Sequence, residues 1–88
     1  MNETQQTNIK LYEILYYWDP LGYGEGFYET EISDVLQALH VHDNAEELAR
    51  KIQSIYEFSS EEVISLPQCK QKASELLLVK DQSSCSIN

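Results

Sequence analysis

Apolar residues recur at helical spacing in four segments of this 88-residue chain, and this pattern limits the fold more than any other feature. The spacing i, i+3, i+4 places side chains on one face of an α-helix, and no segment shows the alternation of a β-strand. The pattern predicts an all-α fold, a small bundle of about four helices. The residues of the four apolar stripes are Leu11, Ile14, Leu15 and Trp18; Ile32, Val35, Leu36 and Leu39; Leu48, Ile52, Ile55 and Tyr56; and Cys69, Ala73, Leu76 and Leu77.

Residues that begin or end helices set the predicted boundaries. The Asp19-Pro20 pair ends the first helix, because proline disfavours the α conformation in the residue before it. Asp43 and Glu46 have the spacing of a capping box at the start of the third helix. Pro67 suits the first position of the last helix. We therefore predict helices over residues 8–18, 28–41, 44–58 and 67–80.

The length of the chain allows one hydrophobic core. We predict a single helical domain over residues 8–80, with flexible tails at residues 1–7 and 81–88, because both ends are polar. The N-terminus has neither the basic nor the apolar region of a signal peptide. The longest aliphatic run, residues 76–79, is far shorter than the roughly 20 residues of a membrane span. These features predict a cytoplasmic protein that does not enter a membrane.

Negative charge is concentrated in one part of the sequence. Residues 11–49 contain nine Asp and Glu and no Lys or Arg, whereas the other residues contain six acids and six bases, so the net charge of −9 arises in this stretch. It would repel a phosphate backbone, and we expect no nucleic-acid partner. It would attract a basic protein surface or a cation. A solvated surface that only aids solubility is the alternative.

The segment 18–28 combines aromatic rings and carboxylates with all three glycines of the chain. Such a loop is suited to binding a partner protein. In the structural alternative, Trp18 covers the core, Pro20 ends a helix and the glycines let the chain turn back. The two readings are compatible. The partner-binding residues that we predict are Trp18, Asp19, Tyr23, Glu25, Phe27 and Glu29.

Known cofactor and metal motifs do not match this loop. The glycines of residues 22–26 lack the G-x-G-x-x-G spacing of a dinucleotide site and follow a predicted helix instead of a strand. A calcium loop beginning at Asp19 would lack oxygen ligands at the required positions. We therefore predict no cofactor and no metal site. One alternative is a weak cation site formed by Asp19, Glu25 and Glu29.

The sequence contains no recognisable set of catalytic residues. Cys69 lies on an apolar stripe, which indicates a buried small residue instead of a nucleophile. Cys85 lies in the polar tail, so two free thiols are expected. His40 and His42 together with Cys69 do not make a zinc site. We predict that the protein is not an enzyme, and an enzyme is kept as an alternative.

The first helix has a second apolar stripe formed by Ile9, Tyr12 and Tyr16. A helix that is apolar on two faces is usually contacted on more than one side. We therefore expect the first helix in the middle of the bundle or at a subunit interface. This observation gives the second functional hypothesis, a structural homodimer with no ligand.

The sequence of residues 8–32, NIKLYEILYYWDPLGYGEGFYETEI, resembles the YugE-like family of small bacterial helical proteins, and the similarity continues through residues 48–58. The Trp-Asp-Pro-Leu-Gly run followed by Tyr-Glu-Thr-Glu-Ile carries the resemblance, which covers most of the chain except its ends. The family is a domain of unknown function. The resemblance implies an all-helical bacterial cytoplasmic protein and supplies no catalytic residues. A Trp-Asp-Pro-x-Gly start is also similar to that of small immunity-type proteins.

The leading functional hypothesis is a small, acidic, non-enzymatic protein-binding or regulatory module. It would engage a basic protein partner, and an immunity-like role is one form of this function. The segregated charge beside an aromatic loop is the reason for this hypothesis.

Overall fold

Helices account for most of the structure. The computed structural model describes the backbone of residues 3–24 and 26–86, and the side chains of residues 8–24 and 26–81. Within these residues the chain forms four helices and no strand, which confirms the predicted all-α fold. Their bounds are α1 Glu3–Tyr17, α2 Glu29–Val41, α3 Ala45–Ser60 and α4 Leu66–Ser86.

The two outer helices are longer than predicted. Helix α1 begins at Glu3, and α4 continues to Ser86, so most of the backbone of the two predicted tails is helical. Neither segment contains a Pro or Gly that would stop a helix, and polar residues such as Gln and Ser are compatible with helical backbone. The predicted bounds of the first and last helices, residues 8–18 and 67–80, are therefore corrected, whereas the predicted domain bounds stay a prediction. The flexibility assigned to the two tails stays a prediction.

The four predicted stripes meet in one core. Every residue of these stripes is buried or half-buried. Leu15, Val35, Ile52 and Leu76, one from each helix, have no exposed surface. Helix α3 packs against α2 and α4, and α1 packs against the same two helices. The apolar spacing therefore identified the buried face of each helix correctly.

The second apolar stripe of α1 lies on the surface. Ile9 is 46% exposed and Tyr12 is 38% exposed, while Tyr16 is half-buried. Tyr12 and Tyr16 stack with their ring centroids 5.9 Å apart, and Tyr17 contacts Tyr16 edge-on at 5.2 Å. The expected position of α1 in the middle of the bundle is therefore wrong. A role of this stripe at a subunit interface stays a prediction.

The N-cap of α3 is Asn44, not the predicted Asp43. The Asn44 side chain accepts hydrogen bonds from the backbone N–H of Glu46 at 2.8 Å and of Glu47 at 3.1 Å. The Asp43 carboxylate is instead 3.0 Å from the ammonium of Lys80, which also donates to a carbonyl in the last turn of α2. Lys80 therefore ties α4 to the end of α2.

Helix α4 begins one residue earlier than predicted, so that Pro67 is its second residue. The Ser65 hydroxyl accepts a hydrogen bond from the backbone N–H of Gln68 and donates to its side-chain oxygen. This pairing follows the Ser-x-x-Gln pattern of a helix N-terminus. The preceding connection is held against α3, because the Gln53 amide donates to the carbonyl of Ile64 at 2.8 Å.

Helix α3 ends at Ser60, and the next residue, Glu61, caps it in a left-handed conformation with φ 63°. The Glu61 N–H donates to the carbonyl of Glu57 at 2.8 Å. This conformation costs a residue with a Cβ atom about 1–2 kcal/mol, whereas glycine adopts it readily. We expect Glu61→Gly to raise the free energy of unfolding by about 0.5–1 kcal/mol, measured by urea denaturation.

The matched control for this prediction is Glu57→Gly, which places glycine at an exposed residue in the last turn of α3, where the backbone is right-handed. It should lower the free energy of unfolding by about 1 kcal/mol. A loss of stability in both variants would contradict the prediction.

Candidate functional site

The Asp19 carboxylate organises the connection between α1 and α2. It accepts hydrogen bonds from the backbone N–H of Tyr23 at 3.0 Å, from that of Gly24 at 3.1 Å, and from the Tyr28 hydroxyl. The bond from Tyr28 is the main cause that lowers the pKa of Asp19 below its ordinary value, and the backbone N–H groups act in the same direction. Both oxygens of the Asp19 carboxylate therefore accept hydrogen bonds from groups of the same connection.

The loop closes around the Tyr28 side chain, which is 3% exposed. Its hydroxyl oxygen accepts from the backbone N–H groups of Leu21 and Tyr23, each at 3.4 Å. Burial, followed by the hydrogen bond to Asp19, raises the pKa of Tyr28. Gly24 has φ 97°, a conformation that favours glycine and lets its N–H reach Asp19. The predicted turning role of the glycines is confirmed at this position.

Five aromatic rings form a continuous row that runs from half-buried Trp18 through the core to the surface. Ring centroids are 5.3 Å apart between Trp18 and Tyr56, and 5.5 Å apart between Tyr56 and Tyr28. The row continues from Tyr28 to Tyr23 and from Tyr23 to Phe27, both at 6.2 Å. Tyr23 is 41% exposed and Phe27 is 69% exposed. The row therefore ends in two rings that face solvent.

The predicted site residues separate into different roles. Trp18 is half-buried, and the Lys72 ammonium lies 5.7 Å from the centroid of its ring. Trp18 thus has the structural role of covering the core. Tyr23 and Phe27 are brought together at the surface, and Glu29 is exposed at the first residue of α2. Glu25 lies outside the described residues.

Three further residues belong to this region and were not among the predicted site residues. The Tyr23 hydroxyl donates to the carboxylate of Glu62, and this bond is the main cause that raises the pKa of Tyr23. Glu31 is a buried carboxylate in the first turn of α2. Tyr56 is fully buried, and its hydroxyl has no hydrogen-bond partner within the described part of the chain.

A small cavity of about 190 Å³ lies where the loop meets α2 and α3. Burial, and then the charge of nearby Glu31, raise the pKa of the Tyr56 hydroxyl. The cavity therefore combines aromatic walls with a carboxylate and a neutral hydroxyl. The residues that matter for its chemistry are Tyr23, Phe27, Tyr28, Glu31, Tyr56 and Ser60.

The carboxylates of residues 11–49 divide into two groups. Those around the start of α3 contact basic side chains: Asp43 with Lys80, Glu46 with Arg50 and Lys70, and Glu47 with His42. Among the described residues, no ion pair involves Glu29, Glu31 or Asp34. Glu13 of α1 has no ion pair among these residues either, so the unpaired carboxylates lie on both α1 and α2, and the predicted acidic stretch is only partly free to attract a partner.

Metal and thiol chemistry have little support in the described residues. No group of three or more His, Cys, Asp or Glu side chains could hold a metal ion there. Cys69 is a free, fully buried thiol, and burial raises its pKa to about 11. The thiol is therefore protonated at neutral pH, which is unfavourable for nucleophilic chemistry. Cys85 lies outside the residues whose side chains are described.

Among the described residues, none of the four helices has both the length and the apolar composition of a membrane span.

Comparison with known proteins defines the class to which the chain belongs. Residues 10–86 match a family described as a domain of unknown function (DUF1871), and the chain belongs to this family. It is 42% identical over 77 residues to the uncharacterized protein YugE of Bacillus subtilis (strain 168), covering 88% of this chain and 90% of that protein. This confirms the resemblance to the YugE-like family.

A crystal structure of a protein from Bacillus stearothermophilus has the same fold. It superposes with a TM-score of 0.87 at 43% sequence identity, and the match covers 90% of this chain and 98% of the other. The helical architecture is therefore shared with a relative of known structure.

The hydrogen bonds to Asp19 lead to a prediction about the loop. We expect Asp19→Ala to increase the hydrogen-exchange rates of the Tyr23 and Gly24 amides by on the order of tenfold, because both N–H groups lose their acceptor. Two-dimensional NMR measures these rates. Asp34→Ala removes an exposed carboxylate of α2 that accepts no hydrogen bond from the described residues, and it should leave both rates unchanged.

The same protection should depend on pH in the acid range. Because the folded-state pKa of Asp19 lies below its ordinary value of 3.8, the carboxylate stays ionised at neutral pH and its bonds persist. They should be lost only as the pH falls through the lowered pKa. Fast exchange at neutral pH in the unmodified protein would contradict the role assigned to Asp19.

Proposed function

We propose that the protein is a non-enzymatic module that binds a basic protein partner. The binding surface comprises Tyr23, Phe27, Glu29 and Glu62, and we call it the acidic aromatic surface. Glu25 belongs to the same loop and is included in the proposal by its sequence position. The observation that carries the proposal is the 69% exposure of the Phe27 ring on a loop fixed by internal hydrogen bonds.

An exposed aromatic ring on an ordered loop has the properties of an interface anchor. Large aromatic side chains contribute much of the binding energy in protein interfaces. A loop that is already ordered loses little conformational entropy when it binds. The loop is ordered by the Asp19 and Tyr28 side chains, while Phe27 projects from it. Asp19 and Trp18 therefore act as supports for the surface in this proposal.

The charge beside this anchor favours a basic partner. Glu29 has no ion pair among the described residues, and Glu62 accepts its one described side-chain hydrogen bond from neutral Tyr23. Complementary charge accelerates association and disfavours partners of the same sign. Nucleic acid is disfavoured for the same reason. A regulatory or immunity-like role is compatible with this mode of binding.

The proposed location is the cytoplasm. The buried free thiol of Cys69 is compatible with a reducing compartment, where disulfides are rare.

The proposal predicts a loss of partner binding on charge reversal at Glu29. A basic protein captured from a lysate of the source organism would be identified by mass spectrometry and reconstituted from purified components. We expect Glu29→Lys to raise the dissociation constant of the complex with this partner by about tenfold or more at low salt, with an unchanged helical CD spectrum. Isothermal titration calorimetry measures the constant.

Asp81→Lys is the control, because it changes the net charge by the same amount. Asp81 follows Lys80 in α4, and Lys80 contacts the C-terminal end of α2, whereas Glu29 is at the N-terminal end. It should bind the partner as the unmodified protein does. Equal affinity of Glu29→Lys and the unmodified protein, or equal losses in both variants, would overturn the proposal.

A homodimer is the second candidate function, and it is favoured by the surface of α1. Ile9, Tyr12 and Tyr17 are 46%, 38% and 65% exposed, an unusual apolar surface for a helix of a monomer. Two copies of this chain could cover these side chains by packing their α1 helices together.

This alternative predicts a mass of twice the 10.2 kDa chain in sedimentation equilibrium at about 100 μM. The double variant Tyr12→Glu/Tyr17→Glu should shift the protein to a monomer, because it places charge in the interface. Val63→Glu changes an apolar residue that is 62% exposed in the connection before α4, and it should leave the dimer intact. A monomeric unmodified protein at this concentration excludes the dimer.

A further inference from the structure

Two polar side chains in the cavity beneath the loop are buried and have no partner among the described residues. Glu31 is 9% exposed and Tyr56 is 0% exposed, and both contribute to the lining of the cavity. Within the described residues, the Glu31 carboxylate has neither an ion pair nor a hydrogen bond, and the Tyr56 hydroxyl has no hydrogen bond. Buried polar groups are normally paired, so these two groups point to a ligand.

The walls and charge of the cavity indicate the chemistry of this ligand. Tyr23, Phe27 and Tyr28 contribute aromatic rings, and Glu31 supplies a negative charge. Aromatic faces and a carboxylate together attract an organic cation. An anion would be repelled by Glu31, and an apolar ligand would remove water from its carboxylate without replacing the lost hydrogen bonds.

The position of Glu31 in its helix does not remove the need for a partner. Glu31 lies in the first turn of α2, where the helix dipole stabilises negative charge. This interaction makes the buried charge tolerable but supplies no hydrogen-bond donor to the carboxylate. A ligand with several N–H groups would supply donors to Glu31 and to the Tyr56 oxygen together.

We propose that the cavity binds the guanidinium group of an arginine side chain from the basic partner. The inference rests on the function proposed above and names the group that is recognised. A guanidinium can donate two parallel hydrogen bonds to Glu31 and a third to Tyr56, and its planar face can stack on a ring. The cavity of about 190 Å³ has the volume of about six water molecules at ~30 Å³ each. This volume suits the arginine side chain, which has about seven non-hydrogen atoms beyond Cα.

Arginine fits the site better than lysine. The lysine ammonium is compact and strongly hydrated, whereas the guanidinium is weakly hydrated and matches a carboxylate in two places. Because Tyr56 is fully buried, a weakly hydrated cation is better suited to reach it. The proposal therefore commits to a guanidinium group.

The test uses a pair of probes that differ in charge and have nearly the same shape. N-acetyl-arginine N-methylamide is titrated into the full-length protein and followed by two-dimensional NMR, with the citrulline analogue as the neutral control. We expect saturable shifts at the amides of Tyr23, Glu31 and Tyr56, with a dissociation constant of roughly millimolar size for so small a ligand. The citrulline analogue should bind at least tenfold more weakly, and so should a third probe, N-acetyl-lysine N-methylamide.

Two cavity variants and one control complete the test. Glu31→Gln and Tyr56→Phe should each weaken binding of the arginine probe, by about tenfold and several-fold respectively. Asp34→Asn changes the charge equally at an exposed residue that does not line the cavity, and its affinity should be unchanged. Tyr56→Phe should be at least as stable as the unmodified protein, because the lost hydroxyl has no described hydrogen bond. Weaker binding by this variant then reflects the ligand contact and not unfolding.

Defined results overturn the inference. Equal binding of the arginine and citrulline probes, or undiminished arginine binding in both cavity variants, removes the guanidinium site. If free agmatine binds at least tenfold more tightly than an arginine peptide, the ligand of the cavity is a small guanidine compound and not a protein side chain.

The outcomes also separate this inference from the proposed function. If Glu29→Lys loses the partner while both cavity variants retain it, the surface stands and the arginine pocket is wrong. If Glu29→Lys retains the partner, the proposed surface is wrong whatever the arginine probe shows.

Discussion

The hydrogen bonds to the Asp19 carboxylate determine how α1 is joined to α2, and the rest of the candidate site depends on them. One hydroxyl and two backbone N–H groups converge on this side chain, so the turn is fixed from within. The turn directs Tyr28 inward against Tyr56 and leaves Phe27 at the surface. A single carboxylate thus links the ordering of the backbone to the exposure of an aromatic ring. The arrangement explains how a glycine-containing loop can present a defined surface.

The acidic stretch of the sequence is divided by the fold into two parts with different roles. Around the start of α3, Asp43 and Glu46 are paired with bases that lie outside the stretch, including Lys70 and Lys80. These contacts connect α4 to α3 and to the end of α2. Near the loop, Glu29 and Glu31 have no such pairing among the described residues. Part of the acidity therefore connects helices, and part is unpaired among the described residues.

Local patterns in the sequence were sufficient to predict the helices and their buried faces. The i, i+3, i+4 spacing depends only on helical geometry, so it located core residues in every helix and missed only the small side chains of Ala38 and Ala49 within them. It located the ends less well. Asp43 and Asn44 are both suitable N-cap residues. Asn44 caps α3 because the Asp43 carboxylate pairs with Lys80, which is distant in sequence. The polar ends of the chain could not be distinguished from tails, because polarity does not stop a helix that has no Pro or Gly.

The candidate site was predicted only in part, because its remaining members come from other helices. Tyr23 and Phe27 follow from an aromatic loop, but the partner of Tyr23 is Glu62, 39 residues further along the chain. Tyr56 was recognisable as a core residue from its position on a stripe. That its hydroxyl would lack a partner, and that Glu31 would lie close to it, depends on how α2 packs against α3. Such pairings are properties of the tertiary structure.

The position of Trp18 gives the protein an intrinsic optical probe. It is the one tryptophan of the chain, its ring lies 5.3 Å from that of Tyr56, and Tyr56 also contributes to the cavity wall. The Lys72 ammonium lies over the same indole ring and can influence its emission. Fluorescence from this indole therefore reports on the floor of the cavity and on the contact between α1 and α4, without any attached dye. Events at the solvent-exposed end of the aromatic row can therefore be followed from Trp18 at its half-buried end.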